Sequence, residues 1–312
     1  MVGFLKELSI RNDVANIVER IIHFIGTSIE ERGVEGVLVL FSGYMDSTIV
    51  SKLCLEAVGV EAVKFLIRTN KYFEKQEEIL ETSINFLGVP EENIVRCDIE
   101  PMLKNFESKD LIPGSVREIP SLYQPLSYSL LKNTAKKEIE EKTYGMVGKA
   151  TSDREKWIHK IIAHNKFRSR LQMAVAYLTA EQEDRFLIGT INKTELSTGL
   201  FTKWGHGHSA DLMPLGDLYR SQIFEVAEYL KLPEPIQNLS KADLIPGVQN
   251  KYLYFFELIV DEVDRILVHL EQGQSIAEIS DELNIPIYKV EKINTYYNSA
   301  AFTRQVPLIP KI

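Results

Sequence analysis

The chain has 312 residues, enough for one large domain or for a domain with an appendage. Hydrophobic residues make up 45% and charged residues 26%, which is ordinary globular usage and excludes general disorder. The formal net charge of -8 argues against a nucleic-acid-binding protein, because such a protein needs a basic face for its phosphate contacts.

The N-terminal residues, the lack of a long apolar stretch and the two cysteines predict a cytoplasmic protein. The N-terminal residues lack the basic segment and long apolar run of a secretory signal. No stretch approaches the roughly 20 apolar residues that a membrane span needs. The two cysteines, Cys54 and Cys97, lie in a helical and a strand-like stretch, so a disulfide framework is not expected.

Helices and strands alternate in the N-terminal part of the chain. Apolar residues at helical spacing predict a first helix near residues 13–31, and Gly33 ends it. The continuous apolar run at 37–41 predicts a strand that is buried on both faces. The elements predicted next are a helix at about 48–58, a strand at 62–67, a helix at 74–87 and a strand at 93–99.

Residues 101–160 interrupt this alternation. The first half of the segment is rich in proline and the second half in charged residues, which predicts a lid or an interface element inserted into the domain. The later predicted elements are a helix at about 164–180, a strand at 186–190, a helix at 219–230 and two short helices within 275–293, in a small helical C-terminal part at about 253–300.

This order of elements predicts an α/β fold. Alternating strands and helices favour a doubly wound, mostly parallel sheet with helices on both faces. We expect residues 1–312 to form a single domain that carries the insert at 101–160.

A candidate phosphate-binding loop follows the first strand. Residues 42–47 read Ser-Gly-Tyr-Met-Asp-Ser and open the next helix. Free backbone N–H groups and the helix dipole make such a loop an anion site. Asp46 fits a magnesium ligand, because a carboxylate beside polyphosphate needs a divalent cation between them. The alternative is a plain turn in which Asp46 or Ser47 caps the helix.

Two later segments give the loop a context. Residues 189–196 follow a buried strand and read Gly-Thr-Ile-Asn-Lys-Thr-Glu-Leu, and residues 199–205 continue them with Gly-Leu-Phe-Thr-Lys-Trp-Gly. Residues 211–220 read Asp-Leu-Met-Pro-Leu-Gly-Asp-Leu-Tyr-Arg. Together with the loop, these motifs resemble the ammonia-dependent NAD synthetases, which have the adenine-nucleotide alpha-hydrolase fold. The resemblance is strongest in residues 186–232 and weakest in 101–160.

The resemblance implies an ATP-dependent amide ligase. Enzymes of this family adenylate the carboxylate of deamido-NAD with release of pyrophosphate, and ammonia then displaces AMP. This chemistry needs ATP, Mg²⁺ and well-placed cations more than it needs covalent catalysis. The resemblance also implies a homodimer. We find no glutaminase with a Cys nucleophile, so free ammonia or a separate partner is the expected nitrogen source.

The resemblance assigns roles to individual residues by position. Asp46 and Glu195 would be the magnesium ligands and, with Lys203, the catalytic residues. The residues implied to bind the nucleotide are Ser42, Gly43, Tyr44, Met45, Asp46, Ser47, Thr190, Arg220 and Lys241. The residues implied to bind the carboxylate substrate are Arg168, Lys203, Asp211, Phe302 and Thr303.

Several positions depart from the family. Tyr44 replaces a second glycine of the loop, Lys241 stands where a threonine is usual, and Phe302 and Thr303 stand where His-Lys is usual. The family's Asp-Glu pair after a Pro-Gly turn is replaced at 249–252 by Gln-Asn-Lys-Tyr. Because these changes affect contacts to both ligands, two alternatives stay open: a ligase for a different carboxylate, and a nucleotide-binding homologue without catalysis.

Simpler interpretations also exist for single residues. Glu195 could be a carboxylate at a helix start, favoured by the dipole, and Lys203 and Arg220 could be ordinary surface cations. His206 and His208, with Asp211, resemble a zinc cluster, but further ligands at suitable spacing are not evident. The helices within 275–293 resemble a helix-turn-helix DNA reader, which the acidic chain disfavours.

Overall fold

The computed structural model describes residues 8–68, 74–107, 153–205, 208–239 and 251–305. Most of the segment predicted as an insert, residues 108–152, lies outside the described residues. Within the described part of the chain, no helix is long and apolar enough to cross a membrane. The thiols of Cys54 and Cys97 are both free.

Strands alternate with helices up to residue 107. In chain order the elements are α1 (Val14–Arg32), β1 (Gly36–Leu40), α2 (Met45–Val58), β2 (Val63–Arg68), α3 (Glu74–Leu87), β3 (Ile94–Cys97) and α4 (Glu100–Glu107). Short 3-10 turns at Val60–Ala62 and Glu91–Asn93 lead into β2 and β3.

The rest of the described chain is mostly helical. Its elements are α5 (Asp153–Gln182), β4 (Arg185–Ile188), α6 (Lys193–Thr198), α7 (Arg220–Tyr229), α8 (Glu234–Leu239), α9 (Lys251–Phe256), α10 (Val260–Glu271), α11 (Ile276–Leu283) and α12 (Ile287–Arg304).

The four strands form one parallel sheet in the order β3-β2-β1-β4. Every residue of β1 is buried, as expected for a central strand with a continuous apolar sequence. Parallel strands place their carboxyl ends at the same edge, so the loops after β1 and β4 leave the sheet side by side.

Helices cover both faces of this sheet. On one face, Val37 and Val39 of β1 pack in a core with apolar residues of α1, α2 and α7. On the other face, Leu38 and Leu40 pack with residues of α5, including Met173. Successive side chains of a strand point to opposite faces of the sheet, so one strand contributes to both cores. The prediction of an α/β fold with a parallel sheet and helices on both faces is confirmed.

The C-terminal helices have a hydrophobic core of their own. Side chains of α9, α10, α11 and α12 pack around the rings of Phe255 and Phe256, which are almost fully buried. This core also takes in Leu200 and Tyr219, which belong to the motifs at 199–205 and 211–220. The helical C-terminal part therefore packs directly behind those motifs.

Three predicted boundaries were wrong. Helix α2 begins at Met45 rather than at 48, because Asp46 and Ser47 belong to its first turn rather than to the loop. Helix α5 begins at Asp153 rather than at 164, because the sequence of its first turns has little apolar periodicity; Asp153 and Lys156 there are charged and exposed. Helix α12 is not short, with 18 residues from Ile287 to Arg304.

The loop after β1 is bonded tightly to α3. Gly43 has φ +78, and a Cβ at this position would lie 2.8 Å from the Cα of Leu80. The Gly43 carbonyl accepts hydrogen bonds from Ser83 Oγ at 2.6 Å and from Thr48 Oγ1 at 3.2 Å. Ser83 and Thr48 are fully buried, so these bonds are shielded from water. Glycine is required here by both the backbone angle and the close approach of α3.

The Ser83 hydroxyl should therefore contribute to folding as well as to loop position. We expect Ser83→Ala to lower the free energy of unfolding by about 1–3 kcal/mol, because a buried carbonyl loses its better donor. Ser28→Ala is the matched control, since Ser28 Oγ bonds to the Phe24 carbonyl at an exposed site. Urea unfolding measures both variants. Equal, near-zero losses would contradict the bonding scheme of the loop.

Candidate active site

The candidate site lies at the carboxyl edge of the sheet, between the loops after β1 and β4. From β1 the sheet continues to β2 and β3 on one side, whereas β4 lies on the other. Such switch points open a crevice outside the carboxyl ends of the strands, where α/β proteins commonly bind ligands. The two segments singled out in the sequence, 42–47 and 189–196, are thus brought together.

Tyr44 is accommodated without backbone strain. It is the N-cap of α2, with φ -78 and ψ 167, an extended conformation that any residue adopts. The positive φ of the loop falls on Gly43 instead. The backbone of this chain therefore does not require the glycine that the family usually has at position 44. Burial raises the pKa of the Tyr44 phenol, so the ring carries no charge beside the loop.

The remaining loop residues shape the loop through their own bonds. Ser47 Oγ donates to the Tyr44 carbonyl at 2.9 Å and lies 3.0 Å from Ser42 Oγ. The Met45 side chain is fully buried in the main core, so only its backbone could face a ligand. The first turn of α2 directs its N–H groups toward this loop, which keeps the predicted phosphate site physically reasonable.

Asn192 connects the two loops. It is the N-cap of α6 and forms a capping box with Glu195: Asn192 Oδ1 accepts from the Glu195 N–H at 3.0 Å, and the Asn192 N–H donates to Glu195 Oε2 at 3.3 Å. Its Nδ2 donates to Asp46 Oδ2 at 3.3 Å. Asn192 is fully buried, and this one residue bonds to both predicted magnesium ligands: its side chain donates to Asp46 and its backbone N–H donates to Glu195.

Each of these carboxylates is paired with a cation. Arg220 Nη1 bonds to Asp46 Oδ1, and Lys251 Nζ lies 2.7 Å from Glu195 Oε1. All four side chains are less than 20% exposed. Arg220 lies at the start of α7 and Lys251 at the start of α9, so four separate elements supply the four charges. The alternative that Arg220 is an ordinary surface cation is wrong.

The two carboxylates influence each other's ionisation. Burial raises the pKa of Asp46, and the nearby negative charge of Glu195 raises it further, against the opposing effect of Arg220. Burial would also raise the pKa of Glu195, but Lys251 and Arg220 outweigh it and hold that pKa below its usual value. Glu195 is therefore the more firmly ionised member of the pair.

The donor set available for a metal ion is small. Within the described ranges, no group of three or more His, Cys, Asp or Glu side chains could hold a metal. Asp46 and Glu195 are two carboxylates on one hydrogen-bonded frame, and Mg²⁺ commonly uses one or two carboxylates together with substrate phosphates.

Two of the predicted substrate residues form a cluster near the end of α12. Lys203 Nζ donates to the Phe302 carbonyl at 2.9 Å and lies 4.3 Å from the centroid of the Phe302 ring. The ring of Trp204 lies 5.2 Å from the same Nζ. Trp204 and Phe302 are each 42% exposed, so this cationic and aromatic surface is open to solvent. Thr303 instead donates to the Ala300 carbonyl within its own helix.

Arg168 lies near the carboxyl end of β2. Its Nη2 is 2.5 Å from Glu100 Oε1, and both side chains are mostly buried. Arg68, the last residue of β2, is close enough to feel both charges: burial, then the Arg168 charge, lowers its pKa, and Glu100 opposes this. Two guanidinium groups share one carboxylate here, which leaves a net positive charge at this edge of the sheet.

Asp211 supports the sheet edge. Its Oδ2 accepts from the Leu187 N–H at 2.8 Å, and its Oδ1 accepts from Tyr177 Oη at 3.3 Å. A structural role beside strand β4 is thus evident for a residue predicted to contact substrate. Thr190 follows β4 directly and lies at the carboxyl edge, as the resemblance implies.

Some predicted positions cannot be placed. Lys241 and His206 lie outside the described residues. His208 is described, and its ring stacks on Phe201 with a centroid distance of 4.4 Å. Its Nδ1 accepts from the Trp204 N–H at 3.3 Å, and burial, followed by the Lys203 charge, lowers its pKa. His208 packs as a neutral aromatic ring.

Sequence reasoning missed three residues of the site: Asn192, Lys251 and Ser83. Asn192 stood inside a motif, and its position three residues before Glu195 is the spacing of a capping box. Lys251 was noted only as one of the residues at 249–252 that replace the family's Asp-Glu pair. Nothing in the sequence near Ser83 indicates its bond to Gly43, which lies 40 residues earlier.

Comparison with known proteins assigns the chain to a family. The sequence model of the NAD synthase family matches residues 17–118 and 115–307. The NH(3)-dependent NAD(+) synthetase of Thermotoga maritima is 31% identical over 299 residues, which are 93% of this chain and 98% of that protein.

Solved structures share the fold. The NH3-dependent NAD synthetase from Campylobacter jejuni superposes with a TM-score of 0.66 at 20% identity, over 96% of this chain and 100% of that one. The NMN synthetase from Francisella tularensis gives a TM-score of 0.67 at 19% identity, with 96% and 99% covered. The resemblance drawn from the motifs is confirmed: the chain belongs to the NAD synthase family.

Proposed function

We propose that this protein is an ammonia-dependent NAD synthetase. It uses Mg²⁺-ATP to adenylate the carboxylate of deamido-NAD, with release of pyrophosphate, and ammonia then displaces AMP to give the amide. Membership of the NAD synthase family makes the chain a carbon–nitrogen ligase with ATP as co-substrate. The relatives' printed names, NH(3)-dependent NAD(+) synthetase, support ammonia as the nitrogen donor and NAD as the product.

The convergence of Asp46 and Glu195 on Asn192 is the observation that carries the proposal. The two carboxylates come from the first turns of α2 and α6, which are separated by more than a hundred residues of sequence, and Asn192 bonds to both. Both carboxylates are mostly buried, and each one lies against a cation that offsets the cost of burying its charge. Such an arrangement fits a site that handles a polyanion and its metal ion.

Mg²⁺ fits this pair of carboxylates. One oxygen of each is taken by a cation, Arg220 or Lys251, while the second accepts a hydrogen bond of 3.3 Å from Asn192. These long bonds are weak enough to yield to metal coordination. Asp46 and Glu195 would hold the ion, which neutralises charge on the ATP phosphates when bound.

The loop and its cations prepare ATP for attack. We assign the N–H groups at the start of α2 and the guanidinium of Arg220 to the phosphates, where they stabilise negative charge on the departing pyrophosphate. A carboxylate oxygen of the substrate attacks the α-phosphorus, the bond to pyrophosphate breaks, and a mixed anhydride with AMP forms. Ammonia then attacks the carbonyl carbon, loses a proton, and AMP leaves with the former carboxylate oxygen.

The substrate lies on the positive and aromatic side of the site in this proposal. Arg168, with Arg68 beside it, offers a cationic surface for the dinucleotide phosphates. Lys203 with Phe302 and Trp204 offers an exposed ring surface for the nicotinate end. The homodimer implied by the resemblance stays a prediction, which sedimentation of the full chain tests.

The activity test uses ATP, Mg²⁺, ammonium and deamido-NAD, and we expect pyrophosphate and NAD in equal amounts. Asp46→Asn and Glu195→Gln should each lower the rate by about a hundredfold or more, because charge on the polyphosphate is then poorly neutralised. Asp153→Asn is the control, at a side chain 97% exposed in α5. Pyrophosphate release only with another acid, such as the deamidated mononucleotide, would contradict deamido-NAD as the substrate and leave the reaction type unchanged. ATP binding without pyrophosphate release for any acid would support a non-catalytic homologue.

Lys251 is the cation with which this chain departs from its family, and we assign it to the polyphosphate. With Mg²⁺ held by Glu195, the ammonium group of Lys251 would turn from this carboxylate toward the ATP phosphates. Lys251→Met should weaken ATP binding by about tenfold, the effect of one charge-assisted contact. Lys289→Met is the matched control, since Lys289 donates to the Glu257 carbonyl at an exposed site among the C-terminal helices. Calorimetry with Mg²⁺-ATP measures the affinity of both variants. If both bind ATP as tightly as the wild type, Lys251 does not contact ATP and serves only to neutralise the charge of Glu195.

A further inference from the structure

Asp264 is a fully buried carboxylate in α10, within the C-terminal helical part. Its Oδ1 accepts from Thr194 Oγ1 at 2.6 Å, and its Oδ2 accepts from the Ser221 N–H at 2.8 Å. Burial raises the pKa of Asp264 to about 6, and these two donors oppose the rise, so the group is ionised at neutral pH. An ionised buried carboxylate fixes the groups that bond to it, because losing them is costly.

Both donors belong to helices that carry site residues. Thr194 precedes Glu195 in the first turn of α6, and Ser221 follows Arg220 in the first turn of α7. Thr194 Oγ1 also accepts a hydrogen bond of 2.8 Å from the Arg220 N–H. A chain of bonds therefore runs from Asp264 through Thr194 to the backbone of Arg220.

This chain of bonds controls the geometry of the four charges. Glu195 and Arg220 lie on different helices, yet both contribute to the surroundings of Asp46. The distance between the starts of α6 and α7 therefore decides how the charges meet. Asp264 bonds to both starts at once, and negative charge at helix N-termini is stabilising.

We propose that Asp264, acting through Thr194, is a positioning residue that sets Glu195 and Arg220 around Asp46. The effect on catalysis rests on the proposed function, whereas the effect on ATP binding does not. A well-packed apolar residue at position 264 would avoid the cost of desolvating a carboxylate. The bonds to Thr194 and Ser221 account for a charged residue on the buried side of α10.

Three threonine variants test the proposal with matched stability. Thr194→Val keeps the shape but removes the donor to Asp264 and the acceptor for Arg220, whereas Thr194→Ser keeps both. Thr198→Val is the control for lost stability: Thr198 is equally buried one turn later and bonds to the Thr194 carbonyl at 2.7 Å. Asp264→Asn provides a second break in the same chain of bonds.

We expect Thr194→Val and Asp264→Asn to lower kcat by about tenfold or more, since small misplacements of charged groups are costly. Their ATP affinity by calorimetry should fall as well, while Thr194→Ser and Thr198→Val stay within about threefold of wild type. The midpoint of thermal unfolding is recorded for all variants.

Equal losses in Thr194→Val and Thr198→Val would show a structural role only and overturn the proposal. If the wild-type protein binds ATP but releases no pyrophosphate with any acid, the proposed function fails. In that case ATP affinity alone decides the proposal: weaker binding by Thr194→Val than by Thr194→Ser supports it, and equal binding overturns it. A wild-type protein that binds no ATP overturns both.

Discussion

Two carboxylates held close together away from bulk water must be neutralised, and the site is built around this constraint. Asp46 and Glu195 each meet a cation, Arg220 or Lys251, so the four side chains carry no net charge. Lys251 and Arg220 hold the pKa of Glu195 below its usual value, whereas burial and the Glu195 charge raise the pKa of Asp46 against the effect of Arg220. In the proposed function, Asp46 and Glu195 would hold Mg²⁺, and Arg220 and Lys251 would then stabilise negative charge on the polyphosphate. The same groups thus serve stability without ATP and charge neutralisation with it.

The fold supplies this arrangement from elements that are distant in sequence. The strand order places the loops after β1 and β4 at a switch point, which brings Asp46 and Asn192 together. The C-terminal helices pack behind these loops, and α9 and α10 contribute Lys251 and Asp264. The helical part is therefore joined to the charged site by polar contacts as well as by its own core.

The sequence was sufficient for the fold class and for the residues that stand in local motifs. Continuous apolar runs located the four strands in the described part of the chain, and the family resemblance implied a shared site for Asp46, Glu195 and Arg220. The sequence did not predict the site residues whose positions depend on contacts that are distant along the chain. From the sequence, the segment that contains Lys251 was noted only because the family's Asp-Glu pair is missing there. The bond of Lys251 to Glu195, which is 56 residues away, was not predicted. At Tyr44, the extended backbone lets a tyrosine stand where the family has glycine, and the positive φ falls on Gly43, which residue type alone does not reveal.

Transfer of oxygen from the acid to AMP tests the central claim most directly. The substrate carboxylate is labelled with ¹⁸O, and the AMP formed with Mg²⁺-ATP and ammonium is analysed by mass spectrometry. The account predicts that AMP carries one labelled oxygen, because the carboxylate attacks the α-phosphorus and its oxygen leaves with AMP. Unlabelled AMP would contradict it, since water rather than the carboxylate would then have attacked the phosphorus.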